Sequence, residues 1–132
     1  HLAATSTLLL VTNHEVTALS DGYALYKRAT AVNKGIRVGL VVNRAPDEKL
    51  AGAAWDSFRS VSERFLGHSP EFVGWVPADP AVSSSVQRRE PVVGSYPTSP
   101  AATSLAAVAD WGPIDHARTT SAFYEKARRA LR

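Results

Sequence analysis

Three short apolar runs along the chain predict three buried β-strands. The runs cover residues 5–12, 36–43 and 72–76, and each contains valine together with leucine or aromatic residues. In the second run, residues 36–43, the apolar residues do not alternate strictly with polar ones, as they would in a strand with one water-exposed face. We therefore expect helices to cover both faces of the sheet, which is typical of parallel sheets.

Two longer segments, residues 17–34 and 48–66, place their apolar residues at helical spacing. Thr17 is a predicted N-cap and Gly35 a predicted C′ residue of the first helix, and Gly67 is predicted to end the second. The stripe of the second helix that we expect to face the core consists of Ala51, Ala54, Phe58, Val61 and Phe65.

Proline marks the start of two further predicted helices. Pro80 follows Asp79 and Pro100 follows Ser99, and a proline at the first helical position lacks the amide that would go unpaired there. The second of these helices is predicted to end at the Gly-Pro pair of residues 112–113, and a last helix is predicted from about Thr119.

The resulting order, β-α-β-α-β-α-α-α, predicts an α/β fold. We expect a three-layer arrangement, with a parallel sheet between two layers of helices, followed by C-terminal helices. No strand is predicted before the first one, so one edge of the sheet is expected to lie open.

Composition excludes several classes of protein. The 132 residues suit one domain, and the absence of cysteine excludes disulfides, thiolate metal sites and a cysteine nucleophile. The four histidines form no i,i+3 or i,i+4 pair, so we expect no metal site. The aliphatic runs are far shorter than the roughly 20 residues of a membrane span. A cytoplasmic location is therefore expected.

The net charge of +3 is concentrated at the C-terminus. Residues 116–132 carry five basic residues and one acidic residue, whereas residues 1–115 carry ten basic and eleven acidic residues. Because the body of the chain is nearly neutral, we expect no nucleic acid as a partner.

Polar loops follow each predicted strand, at the end of the sheet where α/β proteins bind ligands. Asn43 offers a donor and an acceptor together, which suits the edge of an adenine ring, and Arg44 can stack on a base or bind phosphate. Residue types alone leave structural roles open: Asn43 could complete the strand end, Arg44 could be solvated, and Asp79 could only cap a helix.

The chain contains no glycine-rich phosphate-binding motif, neither G-x-G-x-x-G nor G-x-x-x-x-G-K-[ST]. No predicted strand ends in an aspartate suited to magnesium. We therefore expect no catalytic residue and no nucleotide hydrolysis by this chain alone.

Several short segments, taken in order, resemble motifs of MinD/ParA-type ATPases, and most closely those of the flagellar-number regulators called FlhG, FleN or YlxH. VVNR resembles the V-V-N-R strand end of that branch, and FVGWVPAD resembles its G-x-I-P-x-D. His14 departs from the family, which usually has proline there. The segments are VTNHE (11–15), DGYALYK (21–27), VVNR (41–44), RFL (64–66), FVGWVPAD (72–79), VQRREPVV (86–93) and YPTSPAA (96–102).

The resemblance is to the C-terminal half of these ATPases, and it implies half of a SIMIBI-type P-loop NTPase fold for residues 1–115. The deviant Walker A loop and both switch regions lie upstream in the family. The chain is thus expected to be a fragment, a degenerate copy or a domain of a longer protein. The resemblance implies that Asn43 and Arg44 contact the adenine of ATP, while the backbone from Pro77 to Asp79 lines the other side of the base. Magnesium is implied only in an intact protein that carries the P-loop.

Residues 116–132 predict a basic amphipathic helix. Phe123, Tyr124 and Leu131 fall on one arc at 100° per residue, whereas Lys126 and Arg128 fall on the opposite arc. This resembles the membrane-targeting helix that ends MinD-like proteins and implies weak contact with the inner face of the plasma membrane. The alternative is a helix that docks on the domain.

Together these observations predict the adenine-nucleotide-binding half of a MinD-like ATPase that regulates flagellar number or placement. The resemblance further implies a homodimer in the intact protein, and flagellar partner proteins such as an SRP-type GTPase. The alternative is a non-enzymatic remnant of such an ATPase that acts as a protein- or membrane-interaction module.

Overall fold

The three predicted apolar runs form one parallel β-sheet, with the strands in the order β1-β2-β3. The computed structural model describes residues 4–112. Within them, β2 is the central strand, and β1 and β3 form the two edges. The strands are β1 (Thr7–Thr12), β2 (Arg37–Ala45) and β3 (Glu71–Pro77).

Five helices accompany the sheet in this part of the chain. They are α1 (Val16–Val32), α2 (Glu48–Leu66), α3 (Pro80–Gln87), α4 (Val92–Ser95) and α5 (Pro100–Ala109). The short helix α4 is absent from the sequence prediction, whereas the predicted helix from Thr119 lies outside the described residues.

The predicted starts of α2, α3 and α5 and the predicted end of α2 are correct. Asp47 accepts a hydrogen bond from the amide of Leu50 at 2.8 Å, and Gly67 ends α2 in the left-handed conformation with φ 77°. Pro80 and Pro100 open α3 and α5 as predicted. These ends follow from local chemistry that can be read in a sequence.

Three other predicted helix ends are wrong. Helix α1 begins at Val16 and not after Thr17, because Glu15 occupies the N-cap without any side-chain capping bond. Asn33, rather than a residue next to Gly35, caps its C-terminus by donating its amide hydrogen to the carbonyl of Ala29 at 2.9 Å. Helix α5 ends at Ala109, before the predicted Gly-Pro pair.

Helices cover both faces of the sheet, which confirms the predicted fold class. On one face, Tyr26 of α1 and Phe58 of α2 pack with Leu10, Val38 and Leu40. On the other face, Ala101 of α5 packs with the valines at positions 41 and 76.

The predicted burial of β1 holds on one of its faces only. Leu10 of β1 is buried beneath α1, whereas Leu9 and Val11 on the opposite face are exposed. Because α5 packs against β3 and Val41 of β2, it leaves this part of the sheet uncovered.

The predicted stripe of α2 is correct only over its first half. Ala51, Ala54 and Phe58 are buried, but the next buried position is Ser62, while Val61 and Phe65 are exposed. Spacings of three and four residues are both compatible with one helix face, so periodicity alone could not choose between positions 61 and 62.

Trp111 fixes the end of the described chain onto the sheet. Its ring lies over Gly39, where a Cβ atom would approach the ring to 2.6 Å. The guanidinium of Arg37 lies 4.7 Å from the centroid of the same ring and forms an ion pair with Glu71 at 2.6 Å. The hydrogen bond from Arg37 holds the pKa of Glu71 below its usual value.

None of the helices within residues 4–112 combines the length and apolar composition that crossing a membrane requires.

Candidate functional site

The loops that follow β2 and β3 lie side by side at the carboxyl end of the sheet. The amide of Ala78 donates a hydrogen bond to the carbonyl of Ala45 at 2.9 Å and so joins the two loops. A cleft of about 490 Å³ opens here between the end of β2 and the segment of residues 77–83, which comprises the end of β3, its loop and the start of α3. All four residues that the sequence analysis selected for binding line this cleft: Asn43, Arg44, Pro77 and Asp79.

A β-bulge shapes the β2 side of the cleft. Val42 pairs with Trp75 and Ala45 pairs with Pro77, so two residues of β2 lie opposite a single residue of β3. Arg44, one of the two bulged residues, has φ 53°, a left-handed conformation that is strained for a residue with a side chain. Strained backbone of this kind is concentrated at binding and catalytic sites.

The side chains of Asn43 and Arg44 are available to a ligand. Asn43 is half-buried and Arg44 is exposed. Neither side chain forms a hydrogen bond with another residue in the part of the chain that the structure describes. The alternative role of Asn43, completing the end of the strand, therefore has no side-chain hydrogen bond in that region to support it. An amide that is partly removed from water and unpaired is a favourable group for recognising the edge of a base.

Asn43 and Arg44 also border a second cleft, of about 380 Å³, on the side of β1 and α1. Thr12, Asn13 and Asp21 belong to its lining. The two bulged residues therefore stand as a ridge between two adjacent clefts, a relation that the sequence did not reveal.

Asp79 caps a helix, as one interpretation of the sequence suggested, and it also contacts a second helix. One carboxylate oxygen accepts a hydrogen bond from the amide of Ala81 at 2.9 Å, and the other accepts one from the amide of Ala101 at 3.0 Å. Both bonds lower the pKa of Asp79, and the bond from Ala101 has the larger effect. Since both oxygens hold helix N-termini, the carboxylate ties α3 to α5, and it is the backbone from Pro77 to Asp79 that remains for a ligand.

The loop after β1 contains a hydrogen bond between its own residues. The amide of Glu15 donates to the side-chain oxygen of Asn13 at 2.8 Å. The Nδ1 atom of His14 is buried and has no hydrogen-bond partner within residues 4–112. No cluster of three or more histidine or acidic side chains that could hold a metal ion occurs in this same region.

The predicted membrane-contacting residues lie outside the described residues. This applies to Phe123, Tyr124, Lys126, Arg128 and Leu131, and also to the predicted boundary at residue 115.

Comparison with known proteins adds one relative. The antiactivator FleN of Pseudomonas aeruginosa is 30% identical over 106 residues. Over this segment the chain is similar to FleN. The aligned segment covers 80% of the chain but 38% of FleN, so the chain spans about two fifths of the length of that relative. No family model matches the chain.

The match to FleN confirms the resemblance that the short motifs predicted. It covers most of the chain, in agreement with the motifs, which extend over about residues 7–110. It also agrees with the expectation that the chain corresponds to one half of such a protein.

Proposed function

We propose that this FleN-related domain holds the adenine base of ATP at the carboxyl end of β2. In an intact protein it is the base-binding half of a nucleotide-switched regulator of flagellar number or placement. The unpaired side-chain amide of Asn43, in the lining of the cleft between the end of β2 and the loop after β3, is the observation that supports this proposal most directly.

The cleft between the loops has the parts that a purine base requires. The amide of Asn43 can donate one hydrogen bond and accept another, as the edge of adenine demands. Arg44 can stack its planar guanidinium on the ring. The backbone of Pro77 and Ala78 forms the opposite wall.

The remaining parts of an ATPase belong to a second segment of polypeptide. The chain supplies no glycine-rich loop for the phosphates, so the magnesium-dependent chemistry of ATP is assigned to an upstream P-loop. The exposed Leu9 and Val11 on edge strand β1 support such an arrangement, since additional structure could cover them. Dimerisation and contact with flagellar partner proteins are proposed for that intact protein, not for this chain alone.

The experiment that tests base binding joins this chain to its upstream half and replaces Asn43. Asn43→Ala removes one or two hydrogen bonds to the base, which costs about 1–3 kcal/mol. The dissociation constant for ATP should therefore rise about five- to 150-fold, and discrimination between ATP and GTP should fall. Isothermal titration calorimetry measures both.

Two further variants make the test specific. Asn43→Asp keeps the size of the side chain but loses its donor, so it should also weaken ATP binding. Gln87→Ala, at the end of α3 and outside both clefts, should leave ATP binding unchanged. Unaltered affinity and selectivity in a folded Asn43→Ala variant would refute the assignment and favour the non-enzymatic interaction module.

We also propose that the basic amphipathic segment of residues 116–132 binds anionic membranes weakly, which makes the protein peripheral at the membrane. Each basic residue near an anionic surface contributes about 1 kcal/mol, and the apolar side chains add partial burial. Phe123→Glu should abolish co-sedimentation with anionic vesicles, whereas Phe65→Glu, on exposed α2 surface, should not. If the wild type ignores these vesicles and Phe123→Glu melts several degrees lower, the segment is instead a docking helix.

A further inference from the structure

A cavity of about 680 Å³ lies at the amino end of the sheet, opposite the Asn43 cleft. The second half of α1, the start of β2 and the connection between α2 and β3 form its walls. Its volume falls within the range of about 300–1,000 Å³ that small-molecule sites occupy. We call it the amino-end cavity, and neither the predicted nucleotide site nor the relation to FleN accounts for it.

The lining of the amino-end cavity is positively charged. It contains Lys27, Lys34 and Arg37 but a single carboxylate, that of Glu71. Arg37 and Glu71 form an ion pair with each other at 2.6 Å, so their charges largely cancel. Lys27 and Lys34 form no ion pair with any residue between positions 4 and 112, and two uncompensated positive charges remain.

The helix dipoles oppose this charge without removing it. Helices α1 and α2 both end at the amino-end cavity, and the carbonyl end of a helix acts as roughly half a negative charge. Together they offset about one of the two lysine charges. An anion is therefore still attracted, even though the body of the chain is nearly neutral.

Apolar side chains provide the rest of the surface. Ile36, Val38 and Leu66 line the cavity beside the ring of Tyr26, which is itself buried in the core. The hydroxyl of Tyr26 lies 2.7 Å from Nδ1 of His68 and fixes that ring edge-on to its own. The ligand must accordingly combine an anionic group with an apolar body.

We propose that the amino-end cavity binds an organic phosphomonoester, with its phosphate held by Lys27 and Lys34 and its apolar body resting on Ile36, Val38 and Leu66. A phosphomonoester carries a charge of about −1.5 to −2 at neutral pH and offers three acceptor oxygens to the two ammonium groups, whereas a carboxylate offers two oxygens and a single charge. Lys27 lies in the second half of α1 and Lys34 two residues beyond its end, and both line the cavity. The proposal requires the flexible four-carbon stems of both side chains to converge on one phosphate.

The first test uses phenyl phosphate as the probe and nuclear magnetic resonance of the full chain as the readout. Saturable shifts are expected for signals of Thr30, Ile36 and His68. The double variant Lys27→Gln, Lys34→Gln should weaken binding by at least about ten-fold, since each lysine supplies a charge-assisted bond. Lys49→Gln, an exposed lysine outside the cavity, is the matched control and should leave binding unchanged.

Further probes separate the two parts of the ligand and its two sources. Inorganic phosphate, which lacks the apolar body, should bind much more weakly than phenyl phosphate. Vesicles of phosphatidylcholine with and without phosphatidic acid show whether a lipid headgroup supplies the phosphomonoester. Lysine-dependent binding to the vesicles with phosphatidic acid, without binding to phenyl phosphate, supports a lipid source. Binding to phenyl phosphate supports a soluble source.

Three outcomes would overturn the proposal. These are an absence of saturable binding to both sources, shifts that are spread over the surface, and binding of phenyl phosphate that survives in the double variant. Because Lys27 and Lys34 are exposed, their replacement should leave the fold intact, which thermal melting verifies. The outcome is also independent of Asn43, which lies at the opposite end of the sheet.

Discussion

Val11 and Val41 are identical residues that lie side by side in strands β1 and β2, yet their surroundings differ completely. They are partners in the register of the parallel sheet and therefore stand on the same face. Val41 is 2% exposed and Val11 is 57% exposed. Amino-acid type and strand conformation are the same, so the difference comes from what packs above each residue.

The cause is the position of α5. Ala101 of this helix packs on Val41 and Val76, and no helix within residues 4–112 covers the same face of β1. On the other face, Leu10 and Leu40 are partners and both are buried. One face of strand β1 thus packs in the core, whereas the other face exposes the apolar side chains of Leu9 and Val11.

The largest expected difference between the two strands concerns their leucines. Leu40→Ala leaves a cavity in the core and should lower the free energy of unfolding by about 2–5 kcal/mol. Leu9→Ala, in β1 on the uncovered face, removes the same atoms from an exposed position and should cost about 1 kcal/mol or less. Urea unfolding of the full chain followed by circular dichroism measures both variants.

One control variant keeps the leucine comparison interpretable. Leu10→Ala, in β1 but on the buried face, should resemble Leu40→Ala. Equal losses for Leu9→Ala and Leu10→Ala would show that the outer face of β1 is covered in solution, against the exposure seen in the structure.

The sequence predicted the elements whose signals are local. Strand and helix identities follow from apolar runs and helical spacing, and the capped starts of α2, α3 and α5 follow from Asp and Ser side chains. The start of α1 was missed because Glu15 gives no capping bond. The exposure of Val11 was missed because it depends on where α5 packs, about 90 residues later in the chain.

The candidate site divides in the same way. Asn43, Arg44 and the loop from Pro77 could be selected from the sequence because they follow buried strands, and the structure places them around one cleft. The bulge places Arg44 in a left-handed conformation, and the sequence has no glycine there from which this conformation could be predicted. The second oxygen of Asp79 bonds to Ala101, a tertiary contact that residue type does not encode.

The smallest difference should come from Val→Thr at the paired positions, and it tests whether β1 belongs to a larger sheet. Val41→Thr buries an unpaired hydroxyl and should cost about 1–3 kcal/mol, whereas Val11→Thr should change the free energy of unfolding by about 0.5 kcal/mol at most. In a protein that restores the upstream half, the two costs should converge, because new structure would remove Val11 from water. Denaturant unfolding of both variants in both proteins gives the four values. A Val11→Thr cost that stays near zero in the longer protein would show that the outer face of β1 remains uncovered there, and would remove the support that this face lends to an upstream half.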